Sequence, residues 1–261
     1  MRKFSNLLFS SICALSLLAS CAGKDGDPGP AGAAGATGPT GPSGQNLTGN
    51  LFGFVNPLDE NGQSLAKNGV VVTLEGVTPA ATATTDANGR YEFANLRNGT
   101  YNLTYTRGGL GTLRRLGVGH IGGDQATFLG TNTLVQPSTN AVSNFSFGPP
   151  SGTSVPFVMT ITNINPSVSL RATIFVGTSS SVNSNTGTAL GTYIASANGT
   201  VNTSFSKATL NSAGLVSGTT GYAIAYGSPT TTTIYTDPTT GRSVYTSLST
   251  TPSSVVSFIV P

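Results

Sequence analysis

Residues 84–105 read TTDANGRYEFANLRNGTYNLTY, and the spacing of their apolar side chains decides the fold. Tyr91 and Phe93 flank a single polar residue, and Tyr101, Leu103 and Tyr105 repeat the same alternation. A strand turns successive side chains to opposite faces, so each set lands on one buried face. Asn88-Gly89 just before Tyr91 supplies a chain reversal with positive φ, and Gly99 opens a second turn that returns Tyr101 to the same core. The stretch therefore predicts short antiparallel strands.

The same grammar continues on both sides. Residues 51–55, 69–74, 81–85, 126–135 and 141–147 are further strand candidates, punctuated by turn clusters such as Asp59-Glu60-Asn61-Gly62. No segment sustains a 3.6-residue period. Beyond Pro149-Pro150-Ser151-Gly152, read as a linker, strands are expected over 157–161, 168–176, 189–195, 201–205, 222–226, 231–235, 244–248 and 255–260. Residues 107–123, RGGLGTLRRLGVGHIGG, are too rich in glycine to assign. Many short strands with frequent turns argue for sandwiches. The expected architecture is all-β, with two consecutive antiparallel β-sandwich domains at 47–149 and 150–261.

Thr84, Asp86, Asn88-Gly89, Tyr91, Phe93, Leu96, Gly99 and Tyr101 resemble the central motif of the carboxypeptidase-regulatory-like domain, a transthyretin-like sandwich. The resemblance spans roughly residues 49–148. It implies a module that accompanies, positions or binds rather than one that cleaves peptides. No family resemblance is found for residues 150–261.

The N-terminus carries a different signal. Arg2 and Lys3 precede a mostly apolar run over 7–18, followed by small residues, the layout of a secretory signal at 1–20. That run is too short to cross a bilayer, which takes roughly 20 residues. Leu18-Ala19-Ser20-Cys21 resembles the lipobox of bacterial lipoproteins, which implies cleavage before Cys21 and lipidation of its thiol. Ala at position 22 then implies outer-membrane sorting, and Lys24-Asp25-Gly26-Asp27 loosely resembles a surface-export tag. The other cysteine, Cys13, lies inside the signal, so no disulfide is expected in the mature chain.

From Gly23 to Gly44 glycine recurs at every third position, with Pro39 and Pro42 in between. Only glycine fits the axis of a collagen triple helix, and this period is its requirement. Two readings stay open for residues 21–46, a trimeric stalk and a single-chain spacer, with the spacer the more economical for eight triplets. At about 3.1 Å per residue either form reaches roughly 70 Å.

Composition narrows function by exclusion. The formal charge is +3, but without Arg2 and Lys3 only 10 basic residues face 9 acidic ones. One adjacent pair, Arg114-Arg115, makes no nucleic-acid footprint. Gly117-Val118-Gly119-His120-Ile121-Gly122 fits G-x-G-x-x-G, yet a dinucleotide site needs a helix after it and Gly122-Gly123 would break one. His120 is the sole histidine, so a histidine metal cluster is impossible. The Asp59 and Asp86 clusters lack calcium-loop ligands and read as turns. Asp237 is the one carboxylate side chain beyond residue 150, too few for a two-carboxylate glycosidase there. Tyr222, Tyr226, Tyr235 and Tyr245 are candidates for a sugar-stacking platform, though core tyrosines are the commoner case and tryptophan is absent.

No catalytic, metal or cofactor site is expected, and no nucleic-acid partner. The expected protein is a non-catalytic envelope lipoprotein, anchored through Cys21, that presents sandwiches to a protein or carbohydrate ligand at the outer membrane or cell surface. A rival reading makes it an envelope hydrolase component using His120 with Asp124. A third makes it a coat protein trimerised through the collagen-like segment. Metabolic labelling with palmitate should mark the wild type and leave a Cys21→Ala variant unlabelled; soluble secretion of the wild type would refute the anchor.

Overall fold

The computed structural model describes residues 46–261. The signal, Cys21 and the glycine repeat lie outside the described residues. The described residues are all-β apart from one short helix, in line with the expected fold class. The first sandwich contains β1 (Thr48–Leu58), β2 (Val71–Glu75), β3 (Ala81–Thr84), β4 (Arg90–Arg97), β5 (Gly99–Thr106), β6 (Leu113–His120) and β7 (Thr127–Val135). They form two sheets, β4-β1-β7 and β3-β2-β5-β6. Leu51 and Val55 of one sheet meet Val70, Val72, Leu74, Leu103 and Tyr105 around the other, with Tyr91 and Phe93 between them.

The opening motif behaves as its spacing demands. The Asp86 carboxylate accepts from the backbone N–H groups of Asn88 and Arg90, both at 2.9 Å. Gly89 then takes φ +82°, where a β-carbon would stand 2.3 Å from the Val55 carbonyl oxygen. Two elementary requirements, a left-handed backbone and a close approach, thus fix glycine at one position. Tyr91 and Tyr105 bring their hydroxyls together at 2.8 Å in the core, and the Asn132 amide donates to Tyr105 at 3.0 Å. Buried hydroxyls need such partners.

One pair departs from the antiparallel expectation: β1 runs parallel to β7. Parallel neighbours require a crossover, and here it runs through all four strands of the second sheet, with β4 returning to the first sheet midway. The glycine-rich stretch 107–123 contains strand β6 between two irregular ends. Its pairing with β5 shifts between Tyr101 and Leu103, and Gly117 at φ +66° gives its N–H to the Asn102 side chain at 2.9 Å. That irregularity interrupts the alternation, which is why no period was visible there.

The second sandwich contains β8 (Ala141–Phe147), β9 (Ser154–Thr162), β10 (Arg171–Gly177), β11 (Thr188–Ile194), β12 (Thr200–Ser206), helix α1 (Lys207–Ser212), β13 (Thr220–Gly227) and β16 (Val256–Ile259). Sheet β12-β9-β8 packs on sheet β11-β10-β13-β16 over a core that includes Phe145, Phe157, Ile174, Phe205 and Phe258. The short β14 (Ile234–Thr236) and β15 (Ser243–Tyr245) form a separate ribbon. Ser206 caps α1 by accepting from Thr209 N–H at 3.1 Å, and the helix is too short to show a period in sequence.

The boundary drawn at 149/150 is corrected here. β8 pairs with β9, so residues 149–152 form the turn of a hairpin, closed by Gly148 N–H to Pro156 O at 2.9 Å. The change from one sandwich to the next falls over residues 136–140 instead. Asn140, 1% exposed, gives its amide to the carbonyls of Ser169, Arg171 and Ser228 and receives the Asn163 amide at 3.0 Å. The buried Glu60 carboxylate accepts from Thr139 N–H at 2.7 Å and its hydroxyl at 2.6 Å, while the Glu60 carbonyl accepts from Thr230 N–H at 2.8 Å. Gly111 admits the Thr246 carbonyl and Gly227 the Asn140 carbonyl, each 2.0 Å from where a β-carbon would sit.

Truncating Asn140→Ala should destabilise the chain by roughly 2–3 kcal/mol in urea unfolding, because buried carbonyls lose their donor. Tyr91→Phe, which removes one hydroxyl and leaves Asn132 to satisfy Tyr105, should cost only about 1 kcal/mol.

Candidate functional site

The outward face of sheet β4-β1-β7 carries aromatics where a sandwich usually carries polar residues. On β1 the buried set is Leu51, Gly53 and Val55, so Phe52 and Phe54 point the other way. Phe128, at the start of β7, is the direct partner of Phe52 and is 58% exposed. Phe52 and Phe128 stack at 5.1 Å between ring centroids, and Phe54 meets Phe128 edge-on at 6.1 Å. From the opposite neighbour, β4, the Arg90 guanidinium sits 4.9 Å from the Phe52 ring centre. Because β7 and β4 flank β1, Phe52 is covered from both sides by Phe128 and Arg90. Arg90 pairs with Glu92 at 2.6 Å, and Asn50 donates to Glu92 at 2.7 Å.

A groove of about 560 Å³ adjoins this face along the outer edges of β3 and β4. Glu92 and Arg97 bring opposite charges to it, Tyr101 an aromatic ring, and Ala81 and Leu96 apolar surface. Asn95, in the same wall, holds a left-handed φ of +53° and gives its N–H to the Asn50 side chain at 3.2 Å. Strained backbone of this kind persists where surrounding contacts hold it, and it gathers at binding sites. The Tyr101 hydroxyl is already engaged, donating to the Arg97 carbonyl at 2.7 Å, so its ring is what the groove presents. The geometry suits binding: charges of both signs, an amide and a ring beside a strand edge that no described strand covers.

The remaining sequence candidates take structural places. His120 is 3% exposed; its Nε2 faces the Leu96 carbonyl at 3.0 Å and its Nδ1 the Thr127 hydroxyl at 2.7 Å. A carbonyl only accepts, so in the neutral ring Nε2 carries the proton and Nδ1 accepts from Thr127. Asp124 is exposed and is the partner of neither nitrogen. The residues matching G-x-G-x-x-G lie on β6 and the loop after it, with no helix following. Asp59 and Asp86 close turns with their own carboxylates, Asp59 accepting from Asn61 and Gln63. Tyr222, Tyr226 and Tyr245 pack around Phe175, and Tyr235 against the first sandwich's core, so the four make no shared platform. Among the described residues no three His, Cys, Asp or Glu side chains gather as a metal site, and no helix is long and apolar enough to cross a membrane.

Sequence reasoning missed the phenylalanine face. The signal was present as Phe52-Gly53-Phe54, one residue out of step with Leu51 and Val55. A run apolar at both parities does not by itself say which face turns outward.

Residues 51–144 match the profile of the carboxypeptidase regulatory-like domain, so that domain is present in the chain. No curated protein matches. Among solved structures, a cohesin–X-dockerin complex from Acetivibrio cellulolyticus aligns at 22% identity and TM-score 0.29, over 34% of this chain and 58% of that one. A proposed carbohydrate-binding protein from Bacteroides uniformis aligns at 13% identity and TM-score 0.29, over 77% of this chain and 97% of that one. A DUF3823 family protein from Bacteroides ovatus aligns at 15% identity and TM-score 0.31, over 82% of this chain and 100% of that one. At these values the site is read from its own chemistry.

On the outward face of the other sheet, Arg114 grips both oxygens of Glu75, and Thr104 donates to the same carboxylate. The hydrogen bonds from Arg114 hold the Glu75 carboxyl below its ordinary 4.5 despite partial burial. A lowered folded-state value means stability present above the unfolded value and lost as pH falls through the folded one. Acid titration of stability should therefore show a loss below about pH 4.5 that a Glu75→Gln variant lacks.

Proposed function

We propose that the protein is a non-catalytic binding protein of the cell envelope. Its lipid is carried on Cys21, its Gly-X-Y segment sets a distance from the membrane, and its first sandwich binds an extended segment of a partner protein. The observation that carries this reading is the groove along β4, where Glu92, Asn95, Arg97 and Tyr101 stand beside a free strand edge. The Asn95 N–H and the Leu96 and Arg97 carbonyls are already engaged within the fold, so the side chains flanking this edge select an extended segment laid along it. The two charges fix direction, since a segment with the complementary pair fits one way only. Against the hydrolase reading stands the engagement of both His120 nitrogens within the fold.

Two measurements test the proposal. Protease added to intact cells should remove the folded modules if they face outward; protection would place them in the periplasm. A peptide array probed with the purified protein should yield binders whose affinity falls at least about tenfold in an Arg97→Glu variant, the loss of one charge-assisted hydrogen bond. An array without binders, or binders indifferent to Arg97, would overturn the groove as the site.

A further inference from the structure

The ribbon of β14 and β15 leans on both sandwiches, and a cleft opens around the loop that joins its strands. Tyr235 on β14 packs against the core of the first sandwich, and Tyr245 on β15 meets Phe175 of the second edge-on at 5.1 Å between ring centroids. The loop is closed by Asp237 N–H to the Arg242 carbonyl and by Gly241 N–H to the Asp237 carbonyl, each at 2.8 Å. One oxygen of the Asp237 side chain accepts from the N–H groups of Thr239 and Thr240, both at 2.9 Å. The other wall is the loop over 183–189, where the Asn183 side chain accepts from Asn185 N–H at 2.9 Å and the Asn183 carbonyl from Gly187 N–H at 2.8 Å. Arg242 ties the two walls together by donating to the Thr186 carbonyl at 2.7 Å. Two lobes meet at Arg242 and Ser243, one of about 290 Å³ that Tyr245 also lines and one of about 280 Å³ that Tyr235, Asp237 and Asn185 also line.

The cleft holds more polar capacity than its own walls consume. A guanidinium carries five N–H donors, and a carboxylate has two acceptor oxygens. Arg242 commits one nitrogen to Thr186 and Asp237 one oxygen to its own loop, and neither forms an ion pair among the described residues. The Thr240 N–H holds the Asp237 carboxyl below the usual carboxylate range, so that it stays charged. A donor-only group and an acceptor-only group in one cleft call for a ligand that answers both. Neighbouring hydroxyls on a sugar ring do so, because each can accept from the guanidinium or donate to the carboxylate. The Asn185 amide does both as well, and Tyr235 and Tyr245 offer apolar ring surface to the sugar C–H groups. A phosphate or sulfate only accepts and would meet the Asp237 charge at close range. An extended peptide is held chiefly through main-chain hydrogen bonds along a strand edge, whereas this cleft offers side chains. We propose that the cleft binds a neutral saccharide of at least two units, one in each lobe, with Arg242 and Asp237 hydrogen-bonding its hydroxyls. Asp237 is the sole carboxylate side chain among the residues that line it, so the saccharide is held and not cleaved. Both walls are braced before a ligand arrives, which lowers the ordering cost of binding. The site shares no residue with the groove along β4 and is independent of it.

Binding of the full chain, in a sugar-free detergent, to an array of immobilised neutral oligosaccharides with sulfated counterparts beside them tests the site. The wild type should bind neutral members and prefer them to the sulfated ones. Arg242→Ala should weaken that binding at least about tenfold, the loss of a charge-assisted hydrogen bond. Asp237→Asn keeps an oxygen for the loop and removes the charge, so neutral binding should fall and the preference over sulfated members should shrink. Tyr245→Phe, which keeps its ring on Phe175, should cost about threefold. Thermal unfolding of Asp237→Asn and Tyr245→Phe should match the wild type, so that their lost binding reports the cleft and not the fold. An array without a neutral ligand overturns the inference, as does a bound saccharide indifferent to Arg242 and Asp237 or a preference for sulfated members. Saccharide binding that disappears in Arg97→Glu would belong to the groove and would overturn it too. If saccharide binding fails while the Arg97-dependent peptide binding survives, the proposed function stands and this inference alone falls.

Discussion

Asn140 has one side-chain amide, almost no exposure to water, and three carbonyls from two separate segments pointing at it. Ser169 and Arg171 bracket the entry to β10, and Ser228 follows β13, so a single planar group ties the start of the second sandwich to the ends of two of its central strands. Its neighbours Ser138 and Thr139 hold the buried carboxylate of Glu60 from the first sandwich. A polar group this deep is costly unless every lone pair and proton is matched, and here the matching specifies which segments meet. Gly227 completes the arrangement, since any side chain there would collide with the Asn140 backbone. The seam explains why residues 45–261 form one compact unit.

How much of this was legible beforehand depended on whether a local rule was being obeyed. Residues 84–105 follow period two, place glycine where a left-handed turn is needed, and alternate cleanly, so their strands were readable one by one. β6 broke its own alternation at Gly117 and went unseen. Pro149-Pro150 resembles a linker by composition, but a tight hairpin uses the same residues, and only the pairing of β8 with β9 separates the two. The Asn140 seam has no sequence period at all. It is built from residues nearly ninety positions apart, each unremarkable alone.

The aromatic residues show the same limit from the other side. Alternation in residues 84–105 points Tyr91 and Tyr105 to the core, whereas Leu51, Phe52, Phe54 and Val55 are apolar at both parities. In the fold Tyr91 and Tyr105 are buried, each hydroxyl answering the other, and burial raises both tyrosine pKa values. Phe52, Phe54 and Phe128 meanwhile line an outer face. What decided the outcome was register against Leu51 and Val55, not hydrophobicity. The candidate site therefore emerged from strand direction, while the motifs that looked chemical, the glycine-rich hexapeptide and His120, proved to be strand and packing.

The position of β1 has a mechanical consequence. Any tether N-terminal to the described residues enters through β1, and β1 is the middle strand of its sheet, hydrogen-bonded to β4 on one side and β7 on the other. Tension along that strand loads both ladders in shear, so many hydrogen bonds must yield together instead of parting in sequence as at a peeled edge. A module held this way resists drag applied to its far end through both ladders of β1 at once.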